Sequence, residues 1–381
     1  MIGKRSGALL LLALLSGCST VSGWFSSGKA VKEPARLADF KESARFEIRW
    51  QHNLGGSDNN ALQPAVMRDA IYAASSKGGV FRLDRATGKQ VWQADSGFAI
   101  TGGVGAGEGL LLVGSLKGDL AAFEEDGKQR WKARVSSEVL TAPQVINGIV
   151  IVRTGDGRIT GLSAIDGSRQ WTYERATPAL IVRSHAGVAI ENGVAYAGFA
   201  GGKLAAIGPA NGITVWEAAV SQPRGNTELE RISDITSLPA ADGEQVCAVS
   251  FQGRVACFGM AQGTLLWSRD ISSDKGLALQ NSSLYVTDAN GALSALDKSS
   301  GSSLWKNDQL LLRQTTAPFA LGNHVVAGDY EGYLHALNRE DGSMAARIKT
   351  DGSGIAVAPV KLGDGLLVQT RDGGLYSIAI H

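Results

Sequence analysis

The chain has 381 residues, and 37 Lys+Arg against 36 Asp+Glu leave a formal net charge of +1. Charges so evenly balanced provide neither a basic footprint for nucleic acid nor an excess for a membrane surface. Hydrophobic residues at 44% with only nine prolines exclude a disordered or collagen-like chain, and 49 glycines, near twice the usual share of about 7%, require many turns.

Residues 1–17 read as a secretory signal: Lys4 and Arg5 precede an apolar run from Ala8 to Leu15, too short for the about 20 residues of a bilayer span. The ending Leu15-Ser16-Gly17-Cys18 resembles the lipobox of bacterial lipoproteins; the alternative is an ordinary signal with an incidental cysteine. The resemblance implies lipidation of Cys18 on sulfur, cleavage before it and acylation of the new N-terminus. Several acyl chains hold a protein on a membrane where one chain alone is marginal. In such lipoproteins an Asp after the Cys favours inner-membrane retention; Ser19 stands here, which implies the periplasmic face of the outer membrane. Residues 18–44 are polar, Ser-rich and without sustained periodicity, as expected of a flexible tether. Within them Trp24 and Phe25 either dip into the lipid interface or are unstructured.

From residue 45 to 381 a single domain is expected. It opens on Ala44 to Trp50 (ARFEIRW), a strand ending in Trp with no repeat unit of its own. A Gly-to-Trp unit then recurs, as in GGVFRLDRATGKQVW at 78–92 and GRITGLSAIDGSRQW at 157–171. In each copy the second glycine precedes the Trp by four residues: Gly88 and Trp92, Gly127 and Trp131, Gly167 and Trp171, Gly212 and Trp216, Gly263 and Trp267, Gly301 and Trp305. In the seventh copy, Gly342 faces Ala346 instead. Upstream of each copy lies an apolar run, several of them opened by Asn147-Gly148, Asn192-Gly193 or Asp242-Gly243, the residue pairs that tight strand turns demand. Each unit therefore reads as four antiparallel strands, with the Trp in the outermost one packing between adjacent sheets. An eighth unit starts at Ala358-Pro359 and stops before any Trp strand. Residues 45–380 divide into eight units of about 42 residues, and the spare strand ending at Trp50 supplies the missing member. The sequence thus predicts an all-β, eight-bladed β-propeller of four-stranded antiparallel blades, closed by the N-terminal strand in the last blade.

Two connections break the repeat. The stretches after Trp171 (TYERATPALIVRSH) and after Trp216 (SQPRGNTELERISDITS) are longer than their counterparts, flank the same blade and emerge on one face of the disc. They combine Leu180, Ile181 and Val182 with Arg175, Arg183, Arg224, Arg231 and Asp234, the makings of an interface anchor with a polar rim. The alternative for Leu180 to Val182 is the first strand of the next blade.

The Gly-to-Trp repeat resembles the tryptophan-docking repeat of pyrroloquinoline quinone (PQQ) dehydrogenase-type propellers. With the lipobox, the short tether and the eight blades, nearly the whole chain resembles the BamB lipoproteins of the β-barrel assembly machinery. That resemblance implies a non-catalytic scaffold that needs no cofactor, binds the periplasmic POTRA domains of BamA and assists insertion of outer-membrane β-barrels, with unfolded clients as a further class of partner. By the local L-x-[LV]-R and R-[LI]-S-D patterns, Leu180, Val182, Arg183 and Asp234 fall at the family's contact positions, and Arg231 beside them is a further partner-binding candidate. A second family Asp is Thr236 here, so no contact is carried over to it.

The other readings are a PQQ-dependent dehydrogenase and a propeller lipoprotein binding another envelope ligand, such as a glycan, in its channel. Quinoprotein dehydrogenases hold the quinone against a disulfide of adjacent cysteines and bind Ca²⁺ through Glu, Asn and Asp, whereas Cys247 and Cys257 are ten residues apart. Those two flank a glycine turn on neighbouring strands. An oxidising compartment permits a bond between them, and the strain of bridging opposed strand residues tilts the expectation to two buried thiols. None of the five histidines has metal-ligand spacing, and no nucleophile elbow or phosphate loop occurs. No catalytic constellation and no metal site are expected.

Overall fold

The computed structural model describes residues 33–381. The signal, Cys18, Trp24, Phe25 and the tether up to residue 32 lie outside the described residues. The rest is strand and turn, with no helix among the described residues. Eight four-stranded antiparallel sheets follow one another, seven built from consecutive strands. In the eighth, Phe46–Asn53 pairs with the C-terminal strand Gly374–Ile380, from Phe46 opposite Ile380 to Asn53 opposite Gly374. The eight-bladed propeller and its closure by an N-terminal strand are as expected.

The second and third strands of each blade are buried on both sheet faces, so their side chains, alternating with period two, serve two different cores. In Leu110–Gly114 of blade 2, Leu111 and Val113 pack with Tyr72 and Val80 of blade 1, while Leu110 and Leu112 pack with Val150 and Val152 of blade 3. The hydrophobic interior is therefore eight slabs between neighbouring blades rather than one central mass.

The outer edge of each slab is held by the repeat. The glycines of the turns before the outer strands have positive φ, for example +71° at Gly212 and +67° at Gly263. Glycine is needed there twice over: for that conformation, and because a Cβ on Gly212 or Gly263 would lie 2.5 Å from Cε3 of Trp171 or Trp216 in the preceding blade. The indole N–H then donates to a carbonyl of the same turn, Trp92 to Glu125 at 3.0 Å, Trp171 to Pro209 at 2.9 Å and Trp216 to Met260 at 2.7 Å. Trp131, Trp267 and Trp305 do the same, and Trp50 lies over Gly88.

Ala346 has a physical reason. Blade 8 joins its last two strands through pairing of the chain's two ends, so it has no glycine turn on which a Trp of blade 7 could dock. Ala346 instead belongs to a cluster that takes in Ala44 and Phe46 of the incoming N-terminal strand.

Two expectations need correction. The tether does not extend to residue 44, because residues 34–44 lie along blades 6 and 7. Ala35 N–H donates to Leu311, Arg313 Nη1 to Ala35 at 3.0 Å and Arg347 Nη1 to Ala38 at 3.1 Å, while Arg347 stacks on Phe40. Cys247 and Cys257, expected as thiols, form a disulfide. They are directly paired on Gln245–Val249 and Val255–Gly259, and their Cα atoms are only 4.1 Å apart. That spacing belongs to the narrow, non-hydrogen-bonded pair of an antiparallel ladder, where side chains stand closest.

Candidate partner-binding face

The connections at 174–187 and 220–239 flank blade 4, whose strands are Val188–Glu191, Val194–Phe199, Lys203–Ile207 and Thr214–Ala219. Leu180 to Val182 belong to the connection, since the first strand of blade 4 begins at Val188. The alternative that they open that strand is thereby excluded.

Asp234 joins the two connections. It is 3% exposed, and its carboxylate accepts from the N–H of Val182 at 2.7 Å and of Gly201 at 2.9 Å. One oxygen thus fixes the neighbouring connection and the other fixes the turn between the second and third strands of blade 4. A buried carboxylate satisfied by backbone donors is a strong fastening, because losing either partner leaves a desolvated polar group.

Further ties continue the surface toward blade 3. His185 Nδ1 lies 3.2 Å from the Leu140 carbonyl, and Arg183 Nε lies 4.0 Å from Glu138. Arg175 donates to Glu217 at 2.6 Å, and Tyr173 Oη–H donates to the other oxygen of that carboxylate at 2.7 Å. Burial and this bond push the Tyr173 phenol up to about 12. Within 220–239, Glu230 accepts from the N–H groups of Asn226 and Thr227, and Arg231 Nε donates to the Gly225 carbonyl at 3.1 Å. Both connections are held by side-chain bonds instead of a strand ladder.

This framework presents apolar side chains to solvent beside cationic ones. Leu180, Leu229 and Leu238 are exposed, Leu229 by 67%, with Arg183 and Arg224 beside them in sequence. Of the residues singled out from the sequence, Leu180 and Arg183 are exposed, Val182 is half-buried, and Arg231 is exposed but tied to its own loop. Asp234 is inside, as is Thr236. The R-[LI]-S-D pattern marks Asp234, yet its fastening role depends on the long-range contact with Val182 that no local pattern shows.

A second polar cluster was missed by sequence reading. His335 and Asp329 are fully buried in blade 7, with His335 Nε2 3.0 Å from Asp329 Oδ2 and Arg313 Nε donating to the same oxygen at 2.7 Å. Arg347 Nε donates to His335 Nδ1 at 3.3 Å, so the imidazole is neutral with its proton on Nε2. Burial, and the two arginines beside it, push the His335 pKa below its ordinary value. Since Arg313 and Arg347 also hold residues 35 and 38, the cluster fastens the N-terminal segment, and no sequence spacing announces it. Among the described residues no group of His, Cys, Asp and Glu is arranged to hold a metal ion.

The comparisons with known proteins agree on the family. Residues 76–307 match the family model described as outer membrane protein assembly factor BamB. The chain is 42% identical to the outer membrane protein assembly factor BamB of Nitrosomonas eutropha, over 98% of this chain and 94% of that protein. The crystal structure of BamB from Moraxella catarrhalis superposes with a TM-score of 0.81 at 27% identity, covering 88% of this chain and 99% of that one. The quinohemoprotein alcohol dehydrogenase of Comamonas testosteroni also superposes, with a TM-score of 0.71 over 87% of this chain and 76% of its own, but at 14% identity it shares the fold alone. On its repeat, its eight-bladed ring and these matches, the chain belongs to the BamB family of outer membrane protein assembly factors.

Proposed function

We propose that the protein is a non-catalytic scaffold lipoprotein, anchored through Cys18 in the periplasmic leaflet of the outer membrane, that holds the POTRA domains of BamA during insertion of β-barrel proteins. The observation that carries this reading is the pair of long connections flanking blade 4, fastened together by Asp234 and exposing Leu180, Arg183 and Leu229. Leu180 and Val182 serve as the apolar anchor, Arg183 and Arg231 as the charged rim, and Asp234 as the brace that fixes their geometry. A scaffold role is also supported by the cysteines. Cys247 and Cys257 are spent on a cross-strand disulfide buried between blades 5 and 6, unlike the adjacent pair on which quinoprotein dehydrogenases seat their quinone.

Copurification of BamA with a C-terminally tagged copy, extracted from native envelopes in mild detergent, tests the proposal. Arg183→Glu is expected to lose BamA while folding normally, because it reverses an exposed charge outside the blade cores. Cys18→Ser is expected to release the body from the membrane or leave an uncleaved precursor. Undiminished BamA with Arg183→Glu removes that residue from the interface, and normal outer-membrane fractionation of Cys18→Ser refutes the anchor.

A further inference from the structure

Beneath the connection 174–187 lies a cleft between blades 3 and 4 whose base is formed by Arg153, the last residue of the strand Ile149–Arg153. Apolar walls come from Ile181, Val182 and Phe199, and hydroxyls from Thr154, Thr177 and Ser184. Arg153 is 9% exposed, its guanidinium carbon sits 5.1 Å from the centroid of the Phe199 ring, and its Nη1 has no hydrogen-bond partner. No carboxylate of the described residues pairs with it, since each nearby acid is engaged elsewhere. Asp234 is taken by two backbone N–H groups, Glu217 by Tyr173 and Arg175, Asp156 by Arg158, and Glu138 lies against Arg183.

A buried guanidinium without a counter-charge is an expensive arrangement, and stacking on one aromatic face offsets only a fraction of its desolvation. Burial lowers its pKa to about 10, so it is still a cation at neutral pH. A carboxylate is the chemistry that completes it: a planar anion matches the guanidinium fork, and the hydroxyls of Thr177 and Ser184 can donate to its remaining lone pairs. A phosphate group, with about two charges, calls for more than one free cation, and Arg175, the other arginine of the cleft, is already neutralised by Glu217.

We propose that this cleft is a carboxylate receptor, in which Arg153 takes an Asp or Glu side chain of the protein partner that docks on the connections flanking blade 4. The proposal rests on the docking face described above, because the cleft's roof carries Leu180 and Arg183. It adds a buried charge pair to an interface otherwise made of exposed apolar and rim residues.

The test uses the mature full-length protein in two measurements. Propionate is titrated while the Arg153 Nε–H resonance is followed by NMR, with propionamide as the uncharged control. Binding of purified BamA periplasmic region is then compared for wild type, Arg153→Met and Arg153→Lys. The expected result is a saturable shift with propionate in the millimolar range, none with propionamide, and at least a tenfold loss of BamA affinity in Arg153→Met, with partial retention in Arg153→Lys. Unfolding in urea separates this from a structural role: Arg153→Met is expected to be as stable as wild type or more so, since a buried unpaired charge is replaced by a hydrophobe of similar reach. No response of Arg153 to propionate overturns the receptor. A propionate response with unchanged BamA affinity in Arg153→Met overturns the assignment of the carboxylate to that partner. If wild type itself does not bind BamA, the docking face has failed, and the propionate titration still decides the receptor.

Discussion

The edge of the ring where third and outer strands turn, and the edge where one blade connects to the next, are made under different constraints. On the first, seven turns present a glycine to a preceding Trp, and six of them also a carbonyl to its indole N–H, a repeated contact with little room for variation. On the second, the connections at 174–187 and 220–239 depart from the others in length. They are fixed by single side chains such as Asp234, and they leave leucines in solvent. Residues that recur around a closed ring report on closure; residues that occur once, on a connection, are free to report on a partner.

The largest expected effect falls on the repeating edge. Trp216→Ala removes a buried indole, its bond to Met260 and its contact with Gly263, and should cost about 3–5 kcal/mol of stability. Urea unfolding measures this, and the molecules that remain folded should bind partner normally. On the other edge, Asp234→Ala leaves the N–H groups of Val182 and Gly201 without their acceptor. It should cost about 1–3 kcal/mol, and partner affinity should fall with it, because the anchor loses its brace.

Acid sharpens the contrast at blade 7. The folded state keeps His335 neutral, with its pKa below the unfolded value of about 6.5. Its contribution is present above that value and lost as pH falls through the lowered folded pKa. Asp329, flanked by His335 and Arg313, has burial working against its ionisation, yet their hydrogen bonds hold its pKa below the ordinary value, so it is lost only in stronger acid. Arg313 and Arg347 keep their charges as the pH falls. Stability should therefore drop as pH falls from about 6.5 toward the lowered folded pKa, and His335→Gln should flatten that slope. The shallow remainder comes from His52 and His324, whose pKa values burial also lowers.

The ring was legible from the chain because its signal is periodic: six Gly–Trp spacings, one spare strand ending at Trp50 and no helical pattern leave one architecture. The two long connections around blade 4 were legible as a break in that period. What escaped depends on contacts between residues far apart in sequence. The segment 34–44 reads as polar linker, and only its apposition to Arg313 and Arg347 binds it down. The cysteine pairing turned on whether two opposed residues fall at a narrow or a wide site of the ladder, which register decides. Asp234 carries a recognisable pattern, but its side chain faces inward, so pattern and exposure answer different questions.

The account's central claim is that partner binding belongs to the connections around blade 4 and not to the repeating edge, which also exposes apolar residues such as Val215 and Leu265. The most direct measurement is the Kd of purified BamA periplasmic region for the mature protein carrying either Arg183→Glu or Val215→Asp, with urea midpoints recorded alongside. The account predicts at least a tenfold loss for Arg183→Glu, about 1.4 kcal/mol, with an unchanged midpoint, and wild-type affinity for Val215→Asp. Wild-type affinity for Arg183→Glu together with a loss for Val215→Asp would contradict it and move the interface to the outer strands.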